Sequence, residues 1–174
     1  MANYTINNSA ISAAELNTLN NQYSGTVDAT AVSLIYGSAA EITTVYASSG
    51  FSGLGNESVI LFDSHTLAQL KTISSGTNGQ ISLGNSSVNL SGSSSDLATA
   101  LTGNFSNSYT GNITITNSDY TVTQLKVINN VTSGTITLSI TNTALSGTAS
   151  NLVSALSGTI TTHTGDITIT DTPT

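Results

Sequence analysis

The chain has 174 residues, of which only 6% are charged, and its formal net charge at pH 7 is −7. Lys71 and Lys126 are the only cations, which argues against nucleic-acid binding and against recruitment to anionic membranes, because both need clustered basic residues. The chain has no cysteine, which excludes disulfides and thiolate metal sites, and no apolar run is long enough for membrane insertion.

Six short helices are predicted at nearly constant spacing along the chain. Each begins with Ser or Thr, has an acidic or amide side chain three residues later, and continues with Leu or Ile, which is the capping-box pattern. In chain order the pairs are Ser12/Glu15, Ser38/Glu41, Thr66/Gln69, Ser93/Asp96, Thr121/Gln124 and Thr148/Asn151. Successive starts follow at almost equal intervals, and each helix is expected to run for two or three turns with one apolar stripe.

Two sets of glycines recur at fixed distances from these caps. One set lies ten residues after the cap and is expected to end the helix in a left-handed conformation: Gly76, Gly103 and Gly158. The other set lies thirteen residues after the odd-numbered caps and is expected to turn the chain into a strand: Gly25, Gly79 and Gly134.

Short runs between the helices alternate an aliphatic residue with threonine, which predicts strands that are buried on one face. The aliphatic sets are Ile113/Ile115, Ile136/Leu138/Ile140 and Ile167/Ile169. The opposite face carries the candidate binding residues Thr114, Thr116, Thr135, Thr137, Thr168 and Thr170. A regular threonine lattice on a flat sheet could bind ice or a crystalline polysaccharide, whereas the simpler interpretation is that threonine favours strands on a solvated face.

The strand and helix patterns repeat about every 55 residues, and the copies span residues 10–63, 64–118 and 119–171 of one predicted domain, 1–174. Strands joined by helical crossovers should lie parallel, and such crossovers are right-handed. The predicted fold is therefore α/β: a right-handed solenoid of parallel strands with short helices, six strand–helix coils in three repeats. The alternative is a parallel β-helix in which the capping segments are turns.

No catalytic, cofactor-binding or metal-binding residues are predicted. His65 takes the position that Ile11 and Tyr120 hold in the other copies, and His163 takes the position of Tyr109, so both histidines are expected to be structural. Three acidic residues belong to capping boxes, and four others are scattered without a recognisable spacing: Asp28, Asp63, Asp119 and Asp171. The chain is expected not to be an enzyme.

A recurring pattern of the form T-x-x-Q-L, T-S-G-T-I-T, L-S-G-T-A-S-N-L-V-S-A-L and T-G-D-I-T-I-T-D extends over the chain, most clearly over residues 64–171. It resembles the Thr/Ala/Gly-rich repeats of very large surface proteins of marine bacteria and cyanobacteria, and similar repeats in structural proteins of their phages. This resemblance implies an extracellular or virion-surface location and a structural role, with no catalytic residues to transfer.

Two functions are predicted from these observations. The preferred one is a structural protein: a virion decoration, fibre or filament subunit. The alternative is an adhesin or binding module that presents its threonine-rich face to glycan, ice or a host receptor. The expected terminal strands, Tyr4 to Ile6 and Ile167 to Thr170, would expose unpaired edges, which predicts end-to-end self-association or docking on a larger assembly.

Overall fold

The computed structural model describes residues 3–171, and six α-helices of 8 to 10 residues lie within that range. They are α1 Ala13–Gln22, α2 Ala39–Ala47, α3 Leu67–Gly76, α4 Ser94–Leu101, α5 Val122–Val131 and α6 Ala149–Leu156. Each helix begins directly after its predicted N-cap residue, because the cap side chain binds a backbone N–H group that has no partner inside the helix. The capping segments are therefore helices, and the β-helix alternative is wrong.

In all six helices the cap oxygen accepts a hydrogen bond from the backbone N–H three residues later, at 3.1–3.3 Å. The reciprocal bond, which completes a capping box, forms at three of them, the boxes of Ser38, Thr66 and Thr121. The shorter Asp96 side chain accepts from the Ser93 hydroxyl instead. The sequence pattern therefore predicts every helix start, although only some of the boxes close.

The strands are short, and every pairing between them is parallel. They are β1 Tyr4–Thr5, β2 Ala10–Ser12, β3 Val27–Asp28, β4 Leu34–Gly37, β5 Phe51–Ser52, β6 Ser58–Leu61, β7 Gln80–Ser82, β8 Leu90–Gly92, β9 Asn104–Phe105, β10 Ile113–Ile115, β11 Ile136–Leu138, β12 Leu145–Gly147 and β13 Ile167–Ile169. The separation of paired residues along the sequence is nearly constant, as with Val59 and Ile81 or Ile81 and Phe105. We call the chain between two paired residues a layer.

The described residues form two compact units. The first unit contains residues 3–85 and 103–107, with helices α1 to α3, a five-stranded sheet in the order β2-β4-β6-β7-β9 and a three-stranded sheet in the order β1-β3-β5. The second unit contains residues 86–102 and 108–171, with helices α4 to α6, a sheet in the order β8-β10-β11 and the pair β12-β13. The fold is thus α/β with parallel strands and short helices, as expected, while the three repeats of one domain stay a prediction.

Each unit has its own core between helices and strands. In the first unit, Leu16, Ile42 and Leu70 of the helices are fully buried, as are Ile35 and Val59 of the five-stranded sheet. In the second unit the fully buried side chains are Leu97, Leu125 and Ile128 of the helices and Ile113, Ile115 and Ile136 of the strands. The three buried strand residues of the second unit all belong to the predicted aliphatic sets, so the expected burial is confirmed for them. Burial of their apolar surface stabilises the packing of strands against helices.

The aliphatic residues nearest the end of the described chain depart from this pattern. Ile140 is 40% exposed and follows β11 rather than belonging to it. Ile167 and Ile169 form β13 as predicted, but they are 48% and 61% exposed, so the expectation of a buried face is wrong there. No described strand lies on the far side of β13, whereas β10 is enclosed between β8 and β11.

Of the three glycines expected to end helices in a left-handed conformation, Gly158 does so, with φ of 78°. Gly76 and Gly103 do not have positive φ, so that prediction is wrong for both. Gly76 is the last residue of α3, and a Cβ there would lie 2.5 Å from Cγ of the Tyr46 ring. Close packing against the aromatic ring, rather than backbone conformation, therefore requires glycine at this position.

Candidate functional site

The six predicted binding threonines are divided between two sheets of the second unit. Thr114 of β10 lies directly opposite Thr137 of β11 on one side and opposite Ser91 of β8 on the other. Thr116 follows β10 and Thr135 precedes β11, so these two flank the central row. Thr168 belongs to the separate pairing of β12 with β13, where it lies opposite Ser146, and Thr170 follows β13. The structure therefore brings together Thr114 and Thr137, but not all six.

The row beside this one is made of asparagine and threonine, and it is used for internal hydrogen bonds. The Asn112 backbone N–H donates to the Asn89 side-chain oxygen at 2.9 Å, and the Thr135 N–H donates to the Asn112 side-chain oxygen at 2.9 Å. The first unit has the same contact between the Thr26 N–H and the Asn3 side-chain oxygen, at 3.2 Å. Each asparagine thus joins one layer to the next, and the threonine lattice is interrupted.

A second recurring contact explains the predicted turn glycines Gly79 and Gly134. Its unit is a donor side chain, one further residue and a glycine, which we call the docking motif: Thr77/Gly79, Tyr109/Gly111, Thr132/Gly134 and His163/Gly165. The donor side chains contact carbonyl oxygens of the preceding layer at 2.6–2.7 Å, namely those of Glu57, Val88, Gly111 and Thr143. In each motif, a Cβ on the glycine would overlap that same carbonyl oxygen.

The docking glycines are therefore places of close backbone approach, and none of them has a positive φ. Where the donor is threonine, its oxygen also accepts from the glycine N–H, at 2.9 Å for Gly79 and 3.0 Å for Gly134. Thr77 and Thr132 are buried, so both the hydroxyl and the carbonyl it binds would be costly to leave without a partner. The motif thus fixes the layer that carries it to the one before.

Both histidines lie where the internal comparison placed them. Nε2 of His163 donates to the Thr143 carbonyl oxygen at 2.7 Å and so takes the part that the Tyr109 hydroxyl plays in the earlier motif. His65 directly precedes the cap of α3 and is only 4% exposed. Burial lowers the pKa of His65, and the Asp63 carboxylate partly opposes this effect. The geometry agrees with structural roles for both side chains.

The carboxylates that looked scattered in the sequence include a regular set. The backbone N–H of the first residue of α2, Ala39, donates to Asp63 at 2.7 Å. Ser94 of α4 donates in the same way to Asn117 at 2.7 Å, and Ala149 of α6 to Asp171 at 2.8 Å. Each acceptor belongs to the following layer and binds an N–H that the helix leaves unsatisfied. Asp28 and Asp119 do not belong to this set, whereas one constant step relates Asp63, Asn117 and Asp171 and could have identified them.

Sequence reasoning also missed a buried acid in the first unit. Glu57 is 2% exposed, and its carboxylate accepts from the backbone N–H groups of Gly55 at 2.7 Å and Asn56 at 3.0 Å. The Tyr46 hydroxyl donates to the other carboxylate oxygen. Burial and this carboxylate raise the pKa of Tyr46 well above its usual range. The glycine-rich loop therefore directs its N–H groups at a carboxylate of its own chain.

Within residues 3–171, no three His, Asp or Glu side chains lie together as potential metal ligands. Every helix in that range is too short or too polar to traverse a bilayer. A scan of protein-family models and searches of curated proteins and of solved structures found no match to this chain. The resemblance to bacterial surface and phage repeats therefore stays a prediction.

Proposed function

We propose that this protein is a non-enzymatic structural repeat protein, a subunit of a virion decoration, a virion fibre or an extracellular filament. The observation that carries the proposal is the repeated use of polar side chains to fasten one layer to the next. Docking motifs, asparagine contacts and caps from the following layer recur in both units. His163 is engaged in one of these docking motifs, and the Glu57 carboxylate is bound by N–H groups of its own loop.

We propose further that the layers are coils of a right-handed solenoid, six strand–helix coils in three repeats. Parallel pairing at nearly constant sequence separation supports coiling within each unit. The hand follows from the strong preference of strand–helix–strand crossovers for right-handed connections. Such an architecture suits a mechanical role, because each layer needs only its neighbours for stability.

The proposed location is the virion surface or the exterior of the cell, supported by the resemblance of the repeats. Quantitative mass spectrometry of purified virions, detached surface filaments and cytosol from the source organism tests it. The protein should be enriched with the particles or filaments at a stoichiometry of many copies. A protein that stays in the cytosolic fraction while known surface components are recovered would contradict the proposal.

A surface adhesin or binding module is the second candidate, and it is favoured by the row of Ser91, Thr114 and Thr137 on one sheet. Glycan arrays and measurements of thermal hysteresis in ice test this function. Binding should be lost in the double variant Thr114→Lys/Thr137→Lys, because two ammonium groups break the hydroxyl row. Thr123→Lys, at an exposed position of α5, is the matched control and should bind as the original chain does.

A further inference from the structure

The last described layer leaves an apolar surface at one end of the second unit. Ile167 and Ile169 of β13 are exposed, and Val153 of α6 is 68% exposed beside them. Leu152 and Leu156 of α6 line a shallow groove together with Val153 and Ile167. The corresponding residues one repeat earlier are fully buried, for example Ile113 and Ile115 for Ile167 and Ile169. The contact that covers Ile113 and Ile115 is thus missing at Ile167 and Ile169, and an exposed apolar surface of this kind is typical of an interaction site.

β13 occupies the same position in the repeating pattern as β1, β6 and β10 do. The other three each pair with the strand that follows the next helix: β1 with β3, β6 with β7, and β10 with β11. β13 pairs with β12, and no strand within residues 3–171 pairs with its other edge. The free edge of β13 therefore corresponds to the edge that pairs with a further strand in β1, β6 and β10. A strand that follows an odd-numbered helix would be its equivalent partner.

Among the three strands that could complete the edge, β3 is held least firmly. Its partner β1 contributes two register pairs, Tyr4 with Val27 and Thr5 with Asp28, as β6 does to β7, but both β1 residues are exposed. The residues that take the place of Tyr4 in β6 and β10, Val59 and Ile113, are fully buried. Replacing β1 thus costs less apolar contact than replacing β6 or β10.

We propose that β13 of one copy replaces β1 at the edge of β3 in a second copy, so that chains join head to tail. This inference rests on the proposed structural function. In the joined state Thr168 lies opposite Asp28 of the second copy, as Thr114 lies opposite Thr137 within one chain. Helix α6 packs beside α1 of the second copy, as α4 packs beside α5, and covers Val153.

The exchange encloses Ile167 and Ile169, which are exposed in the single chain. Displacing β1 exposes Ile6 and ends the contact between the Tyr4 and Tyr23 rings, whose centroids lie 4.7 Å apart. Each joined copy keeps one free β13 and one replaceable β1, so the contact is heterologous and open-ended. Each chain carries a net charge of −7, so association should strengthen as salt screens the repulsion between copies.

Because the chain lacks cysteine, single cysteines report the new neighbour directly. Thr168→Cys and Asp28→Cys chains are mixed and mildly oxidised, and a mixed disulfide dimer is expected, since paired strand residues lie within disulfide range. Ser95→Cys, exposed on α4, replaces Asp28→Cys in the control mixture. Adding Ile169→Lys to the Thr168→Cys chain should reduce the product by about tenfold or more, because a charge then occupies the apolar contact.

A yield no greater than in the control mixture overturns the proposal. Preferential dimers of Thr168→Cys chains with each other would also overturn it, because they indicate a closed contact between two β13 edges. Sedimentation equilibrium supplies a second readout on the cysteine-free chain, whose average mass should rise beyond that of a dimer with concentration. Tyr4→Pro deletes the 3.3 Å bond from the Tyr4 N–H to the Thr26 oxygen and should tighten association about fivefold by weakening β1.

Unchanged or weaker association of a folded Tyr4→Pro chain would show that β1 is not the segment displaced. Circular dichroism establishes that the variant is folded before this comparison. Failure of these experiments leaves the fractionation test of the proposed function unaffected, because particle location does not depend on this contact. Loss of the particle location with intact cross-linking would instead contradict the proposed function alone.

Discussion

Glycine at the docking positions is required by the nearness of another backbone, not by an unusual conformation of its own. Gly134 lies against the Gly111 carbonyl oxygen, which accepts a hydrogen bond from the Thr132 hydroxyl, while the Gly134 N–H donates to the Thr132 oxygen. The sequence marked Gly79 and Gly134 through their constant distance from the caps. It could not identify the carbonyl they meet, because that atom belongs to the preceding layer and is placed by strand pairing.

Gly134→Ala should lower the free energy of unfolding by about 1–3 kcal/mol, because the added methyl group overlaps the Gly111 carbonyl and forces the layers apart. Gly147→Ala in the same unit is the control. A Cβ there meets only ordinary contacts, the nearest being Val122 Cγ1 at 3.6 Å, so little change is expected. Urea denaturation of both variants measures the difference, and equal stabilities would contradict the close approach.

Stability should also depend on pH through His65. In the unfolded chain a histidine has a pKa of about 6.5, and burial lowers the pKa of His65 in the folded chain. Above about pH 6.5 both states are neutral; below it the unfolded chain binds a proton that the folded chain resists, so the free energy of unfolding falls as the pH drops. His65→Tyr, which copies the residue at Tyr120, should remove this part of the pH dependence.

The comparison requires urea denaturation of both chains at several values between about pH 5 and 7.5. Carboxylates titrate in both chains, so the difference between the two curves isolates His65. If the difference in free energy of unfolding between the original chain and His65→Tyr stays constant over this pH range, burial does not disfavour the charged imidazole.

At the scale of elements, helix starts are set locally and strand partners are not. A cap and its N3 residue are three positions apart, so the sequence displays both members of the contact. Strand partners such as Ile113 and Ile136 are closer together in the sequence than successive caps such as Ser93 and Thr121. The interval between strand partners is thus shorter than the interval between caps, and β6 and β7 are neighbours in one sheet although α3 lies between them in the chain. A single repeat length therefore could not predict the ladders.

The caps supplied by the following layer give a test at this scale. Asp63→Ala removes the oxygen that accepts from the Ala39 N–H at 2.7 Å and should lower the free energy of unfolding by about 1 kcal/mol. Asp63→Asn keeps an acceptor and loses only the favourable charge at the helix N-terminus, so its effect should be smaller. Thermal and urea unfolding at pH 7.5 measure both variants. An alanine variant as stable as the original chain would show that the contact contributes nothing.

At the scale of the whole molecule, the shortage of cations gives a direct test of how firmly the layers are held. The only trypsin sites follow Lys71 and Lys126, which lie inside α3 and α5 and are half-buried. Cleavage therefore requires opening of a helix, and the native chain should survive treatment that cuts the urea-unfolded chain. Asn142→Lys places a site in the exposed stretch between β11 and β12 and should be cut in the native state. Rapid native cleavage at Lys71 or Lys126 would mean that these helices open readily.

The candidate binding face was only partly accessible to sequence reasoning. Alternation predicted which threonines point away from the core, and Thr114 and Thr137 do meet in register. Thr168 lies in a different sheet because β13 pairs with β12, and the pattern of the strand itself carries no information on its partner. The buried Glu57 left no signal at all, since its role depends on a loop of the first unit and on the Tyr46 hydroxyl of the preceding helix.

The docking motif has a consequence for how such genes change length. The donor side chain and the glycine of each motif both contact a carbonyl group of the adjacent layer. An insertion of one or two codons within a layer would therefore shift the motif away from that carbonyl group, whereas duplication of a whole pair of layers would preserve the contact. Extension should therefore proceed in whole steps, each advancing a sheet by two strand spacings of about 4.8 Å. Proteins that carry this motif should therefore differ in length along the sheet by multiples of roughly one nanometre.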